Sequence, residues 1–292
     1  MPGPIERKCY AKINLALAVG PPVADTELDA GLHPVHSWMC SIDLHDTITI
    51  GRADTGQSSY TRVDETGSPL AWPEHEDLAV RAHKALETHL GKHLPIYLKL
   101  CKTIPAGGGL GGGSSDAAGV LLGLDDLFEL DLSTQTMRTI AASLGSDVPF
   151  FIDETPIPRP AIVSATGNAI ERKPTLDARV LLIVPPFDCP TGQVYQAFDR
   201  LGLGDSFARS CVRINLALEH MDLSTLENDL YQPACVVRPQ LAHLRDRIER
   251  ASSERVHLSG SGSTLFMLNA NTTSETLERI APGCRVIDTR TL

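Results

Sequence analysis

Residues 102–122, KTIPAGGGLGGGSSDAAGVLL, concentrate the residue types best suited to chemistry. Six of the seven residues from Gly107 to Gly113 are glycine, and Ser114 and Ser115 follow directly. Glycine gives up more backbone entropy on folding than any other residue, so such a loop must need bare backbone. A glycine loop that runs into a helix N-terminus can aim several N–H groups at one anion, helped by the helix dipole. The two serine hydroxyls could add ligands to a phosphate or to Mg²⁺. A flexible linker is the plainer alternative, but linkers seldom stand between an alternating strand and a capped helix. Two further stretches carry ionisable residues in odd places: Lys12 and Asn14 interrupt the apolar YAKINLALAV (10–19), and Asp147 sits in GSDVPFF. From residue type alone, Lys12 reads as a charge that protects a strand edge, and Asp147 as a turn or capping residue after Gly145.

Spacing rejects two familiar phosphate loops. The P-loop pattern needs lysine after its final glycine, and here Gly113 is followed by serine. The dinucleotide fingerprint is met trivially by GGGLGGG, but the surrounding pattern is not a repeated strand–helix–strand unit.

The elements that must hold this loop are legible on both sides. HLPIYLKLCKTIP (93–105) alternates, with Leu94, Ile96, Leu98 and Leu100 sharing one face of a strand. After the loop, a helix is expected with Ser114 or Ser115 at its start and Asp116 in its first turn. Its buried stripe would hold Ala117, Ala118, Leu121, Leu122 and Leu124. Strands are expected at 10–19, 37–50 and 178–186 and at the C-terminus. A strand–turn–strand is expected over 255–269, and helices over 76–91, 133–145, 192–202 and 239–251. The proline cluster ETPIPRP (154–160) marks a boundary, giving an α+β chain with domains 1–155 and 156–292.

The 292 residues carry 26 Lys and Arg against 36 Asp and Glu, a net charge of −10. That balance argues against non-specific nucleic-acid or anionic-membrane binding, so phosphate capture must rely on local donors. Seven scattered cysteines with no metal-like spacing suggest reduced thiols and a cytoplasmic protein. No apolar run approaches the length of a membrane span.

PAGGGLGGGSSDAA resembles the P-x-x-x-G-L-G-S-S-[AD]-A motif of the GHMP kinases. AKINLALAV, GSDVPFF and HLSGSGSTLF resemble that family's other motifs, in the family's order, and NDL (228–230) fits as well. The resemblance runs from about Ala11 to Phe266. It implies a two-lobed α+β fold, with an N-terminal lobe like domain 2 of ribosomal protein S5 and a ferredoxin-like C-terminal lobe. It also implies an enzyme that uses ATP and Mg²⁺ to phosphorylate a small alcohol. Within the family, these motifs are most similar to kinases of a cytidine-diphosphate-linked alcohol.

As the resemblance implies, Asp147 is the base and Lys12 its partner, which keeps the carboxylate ionised and steadies the hydroxyl or the moving phosphate. Lys102, Pro105, Gly107, Gly108, Gly109, Leu110, Gly111, Gly112, Gly113, Ser114 and Ser115 would hold the nucleotide, with Ser115 also toward Mg²⁺. Asp77 stands where the family has an asparagine near the adenine or ribose. Asn14, His33, Thr191, Tyr195 and Gly260 would meet the alcohol substrate. The chain departs from the family at Ala30-Gly31-Leu32-His33, where Leu32 replaces a stacking tyrosine. It departs again at 20–30 and after Phe151, where AIVSATGNAIE keeps only Gly167 of a glycine-rich stretch. A related kinase of another alcohol, or a non-catalytic metabolite binder, are the competing expectations; the assembly is expected to be a monomer or homodimer.

Overall fold

The computed structural model describes residues 3–23 and 31–292, so Ala24–Ala30, which include most of the altered 20–30 segment, lie outside the description. In chain order the elements are β1 (Ile5–Val19), β2 (Val35–Arg52), β3 (Ser59–Asp64), α1 (Leu78–Leu90), β4 (Ile96–Lys102), α2 (Gly112–Phe128) and α3 (Thr134–Leu144). There follow β5 (Ala161–Ala165), β6 (Ala169–Arg172), β7 (Arg179–Val184), α4 (Thr191–Leu201), α5 (Phe207–Glu219), α6 (Tyr231–Val237) and α7 (Pro239–Ser252). The chain closes with β8 (His257–Leu258), β9 (Leu265–Leu268), α8 (Ser274–Ile280) and β10 (Arg285–Arg290). No helix among the described residues is long and apolar enough to cross a membrane.

The chain divides into two compact units. The first holds the chain up to Ala11, Leu44–Ala106 and Gly111–Pro158; the second holds Lys12–Asp43, Gly107–Leu110 and Arg159–Leu292. The expected boundary near 155 lies three residues before the switch at Pro158. The N-terminal stretch from Lys12 to Asp43 and the first half of the glycine loop are grouped with the later part of the chain.

In the first unit, β4 pairs antiparallel with the second half of β2 and parallel with β3. Leu94, Ile96, Leu98 and Leu100 are all buried, as the alternation requires. Helix α2 lies very close to the strands. A Cβ on Gly119 would stand 2.5 Å from Cys9 Sγ, and one on Gly123 would stand 2.9 Å from the tip of Ile50. Asp77 caps α1 and Ser133 caps α3, each accepting an N–H from the first turn, while Gly91 ends α1 in the left-handed conformation. The helix after the glycine loop begins two residues earlier than expected. Gly111 at φ 70° is its N-cap and makes no side-chain capping bond, so both serines lie within the first turn. Leu122 is only half-buried, whereas Leu121, Leu124 and Leu127 form the covered stripe.

In the second unit, the first half of β2 pairs with β5, and β5 pairs with β6 around a turn in which Gly167 takes φ 102°. A separate antiparallel sheet runs β10–β7–β9–β8. Its Leu181, Ile183, Leu265 and Met267 join Val194 and Phe198 of α4, Leu241, Leu244 and Ile248 of α7, and Leu277 of α8 in one core.

His83 of α1 is fully buried in the first unit. Its Nε2 donates to the Leu94 carbonyl, and Tyr60 donates its hydroxyl to Nδ1, both at 2.8 Å. Burial lowers its pKa from the ordinary value. The unfolded chain takes up a proton near pH 6.5 while the folded imidazole stays neutral, so stability is lost as pH falls through that value. Urea titrations should show stability dropping between pH 7 and pH 5, with a shallower drop in His83→Gln. An identical slope in that variant would remove His83 as the cause.

Candidate active site

Within the second unit, one turn gathers three motifs that are far apart in sequence. The turn spans residues 259–263 between β8 and β9. Ser259 Oγ donates to the Gly109 carbonyl at 3.0 Å and accepts the Asn14 N–H at 3.3 Å. Thr264 N–H donates to the Gly108 carbonyl, and Lys12 N–H to the Leu110 carbonyl. Gly109 takes φ 76°, and a Cβ on it would lie 2.3 Å from the Ser259 carbonyl oxygen, so no other residue fits. Gly260, at φ 55°, has Asn14 Oδ1 and Lys12 Nζ within 3.2 and 3.5 Å of where its Cβ would be. Much of the glycine requirement in the loop is therefore set by close backbone packing, in addition to any anion.

Lys12 is 2% exposed, which removes the reading of it as a solvated strand-edge charge. Its ammonium donates to Asn14 Oδ1 at 2.5 Å, so the two residues share a face as their spacing requires. Asn14 Nδ2 in turn donates to Ser37 Oγ, which donates to the Ala16 carbonyl. Both polar side chains are thus held in fixed orientations before any substrate arrives.

Asn228 fastens the turn from behind. Its Nδ2 donates to the carbonyls of Leu258 and Gly260, both at 2.8 Å, and its Oδ1 accepts the Leu230 N–H. Asp229 accepts the Val19 N–H and the Ser210 hydroxyl, tying the same segment to the end of β1. Sequence reasoning noted NDL as fitting the motif set but gave it no task.

His33 and Tyr195 come together, as expected: their ring centroids are 4.9 Å apart. His33 Nδ1 donates to the Gly20 carbonyl, and Phe198, one turn after Tyr195 on α4, meets the imidazole edge-on at 5.7 Å. Phe198 was not anticipated, although its i+3 spacing from Tyr195 was available. Leu32 is 51% exposed beside this cluster in sequence. Thr191, the first residue of α4, shares a 2.9 Å hydrogen bond with Ser261 of the glycine turn.

In the first unit, Ser114 and Ser115 lie in the first turn of α2, the end where helix N–H groups and dipole favour an anion. Pro105 precedes the loop. Asp147 leads the short 3₁₀ turn Val148–Phe151, and its side chain makes no capping bond there, against the plain capping reading. Asp77 is occupied: Oδ1 accepts the Ala79 N–H, and Oδ2 accepts Arg62 and the Trp72 indole.

Lys102 is placed differently from a lysine open to a nucleotide. Its buried ammonium donates to Asp46 and, at 2.6 Å, to Asp116. A Cβ on Gly112 would lie 3.1 Å from that ammonium. Asp46 also accepts the N–H groups of Thr103 and Ile104, so the ion cluster ties the end of β4 to the start of α2. One ammonium cannot neutralise two buried carboxylates. Asp116 Oδ1 has no hydrogen-bond partner among the described residues, and burial, with help from the Asp46 charge, raises the Asp116 pKa despite Lys102.

With this geometry in view, the comparisons are informative. Residues 77–154 match the model of the GHMP kinases N terminal domain. The 4-diphosphocytidyl-2-C-methyl-D-erythritol kinase of Chlorobaculum parvum is 32% identical, with 96% of this chain and 94% of that protein covered. The protein of the same name from Thermodesulfovibrio yellowstonii is 33% identical, with 97% and 96% covered. The chain belongs to the 4-diphosphocytidyl-2-C-methyl-D-erythritol kinase family of GHMP kinases. A crystal structure of a 4-(cytidine 5'-diphospho)-2C-methyl-D-erythritol kinase superposes with a TM-score of 0.75 at 28% identity, covering 98% of this chain and 99% of that one. The two-lobed α+β fold of this kinase family is thus the fold of the chain.

Two outcomes follow from the geometry. Lys102→Met leaves two buried carboxylates unpaired and should cost about 3–5 kcal/mol of unfolding free energy at pH 7, less in acid where a carboxyl can protonate. Denaturant titration at both pH values checks this, and a loss under about 1 kcal/mol would contradict the ion cluster. Asn228→Asp turns two donated bonds into carboxylate–carbonyl repulsion. It should lower kcat/KM for ATP-dependent turnover roughly tenfold or more, measured well below the melting temperature of the variant.

Proposed function

We propose that this chain transfers the γ-phosphoryl group of ATP to the 2-hydroxyl of 4-diphosphocytidyl-2-C-methyl-D-erythritol. The observation that carries the reading is the fastening of Lys12, Asn14 and Gly109 to one turn, in a chain matching kinases of that name over nearly their full length. A pure binder has no use for a buried lysine held in that place.

Phosphoryl transfer to an alcohol requires that the hydroxyl be positioned, its proton accepted and the charge on the transferring group stabilised. Asp147 takes the hydroxyl proton as the new O–P bond forms and the bond to ADP breaks, in line and without a phosphoenzyme. Lys12 offers its ammonium to the hydroxyl and the moving phosphoryl group, while Asn14 holds it in orientation. The amides of residues 107–113 and the hydroxyls of Ser114 and Ser115 hold the triphosphate. Among the described residues, no cluster of three or more His, Cys, Asp or Glu side chains could hold a metal by itself. That fits a Mg²⁺ ion that arrives on phosphate oxygens and keeps most of its water, with Ser115 as its protein ligand. When bound, the ion neutralises charge on the β- and γ-phosphates. The His33–Tyr195–Phe198 cluster supports a stacking site for the cytosine ring.

The exposed Leu32, in place of a tyrosine ring, favours one alternative: a kinase of the same family acting on another alcohol. Turnover across a panel of alcohols decides this, since activity on another alcohol with none on the cytidyl compound would replace the first reading. For the mechanism, Asp147→Asn should bind nucleotide normally and lose at least about 10²-fold in transfer rate. Unchanged transfer would remove Asp147 from it.

A further inference from the structure

A cavity of about 360 Å³ opens in the second unit behind the glycine turn, lined by residues of α6, α7 and β8 together with Leu15 and the segment 226–229. It is large enough for a small metabolite. None of the residues assigned above to nucleotide or alcohol lines it.

Its charge is unusual for a protein of net charge −10. The two acidic residues on its wall are already satisfied: Glu227 pairs with Arg213 at 2.7 Å, and Asp229 accepts the Val19 N–H and the Ser210 hydroxyl. The cationic residues are not matched in the same way. Arg245 rests over the Tyr231 ring at 4.3 Å and gives its Nε to Glu249, which leaves the terminal nitrogens of the fork for other acceptors. Arg255, also on the wall, has no ion-pair partner among the described residues. Between them in sequence lies His257, stacked on Phe266. Burial, then Arg255 and Arg245 in that order, lower the His257 pKa to about 4, so both guanidinium groups bear on the same imidazole.

We propose that this cavity is a second ligand site, for a phosphate or diphosphate group of a small metabolite, gripped by Arg245 and Arg255 beside His257. Guanidinium forks suit phosphate oxygens in both charge and geometry. Asn228 forms part of the same wall, so an occupant bears on the residue that holds the Gly260 turn.

The test uses inorganic pyrophosphate as probe and isothermal titration calorimetry of the full chain, first saturated with a non-hydrolysable ATP analogue to fill the glycine loop. One further pyrophosphate site is expected, weakened at least about tenfold in Arg255→Gln, whose exposed side chain can be changed without loss of fold. Arg245→Gln should weaken it similarly. Inorganic phosphate run in parallel distinguishes a single phosphate from a diphosphate as the preferred group. Absence of a second site, or equal affinity in wild type and Arg255→Gln, overturns the proposal. The kinase reading is tested separately, because turnover of the unmodified protein does not require this site.

Discussion

The constraint on which the second unit depends is the contact between Gly109 and the carbonyl of Ser259. The 2.3 Å spacing that a Cβ would have there allows hydrogen and nothing larger. Through that contact two loops nearly 150 residues apart share a surface, and Ser259 spreads the register to Asn14 through one hydroxyl that donates on one side and accepts on the other. Lys12 is held in place by its own backbone bond to Leu110 and by the amide of Asn14. Orientation is thus built before ligands arrive, which is what a reaction with little covalent work for the protein demands.

The first unit solves a related problem with charge. The chain between β4 and α2 must turn sharply while leaving its amides available, so the loop cannot use those amides to hold itself. Lys102, Asp46 and Asp116 hold its two ends instead, under Gly112, where the absence of a side chain leaves room for an ammonium. Buried ion clusters add little net stability compared with apolar packing, but losing one member is costly, and this makes the geometry hard to alter piecemeal.

Much of this was legible in the sequence because it rests on local pattern. The alternation at 94–100, the Ser133 cap, the Gly91 stop and the strand–turn–strand at 255–269 each follow from two or three neighbouring residues. The pairing of His33 with Tyr195 followed from motif order. What was not legible depended on tertiary partners. β3 is a polar edge strand whose residues are all half-buried or exposed, so it carries no apolar period. Helix α5 exposes Val212 and Leu216 while burying Ile214 and Ala217, which blurs its stripe. Lys102 looked open to a nucleotide because the two carboxylates that claim it lie 56 and 14 residues away. Asp77 looked like a base reader because a cap whose other oxygen is filled by an arginine and an indole has no sequence signature.

The close seating of α2 has a consequence for the thiol beneath it. Cys9 lies under Gly119, and its pKa is raised well above the ordinary value by burial and then by the carboxylates of Asp116 and Asp46. A thiol that cannot ionise in place reacts with alkylating reagents only when the covering helix lifts away. Cys9 therefore acts as an internal clock for that helix: its rate of alkylation counts how often the end of the chain's anion-facing segment opens, without any label being introduced.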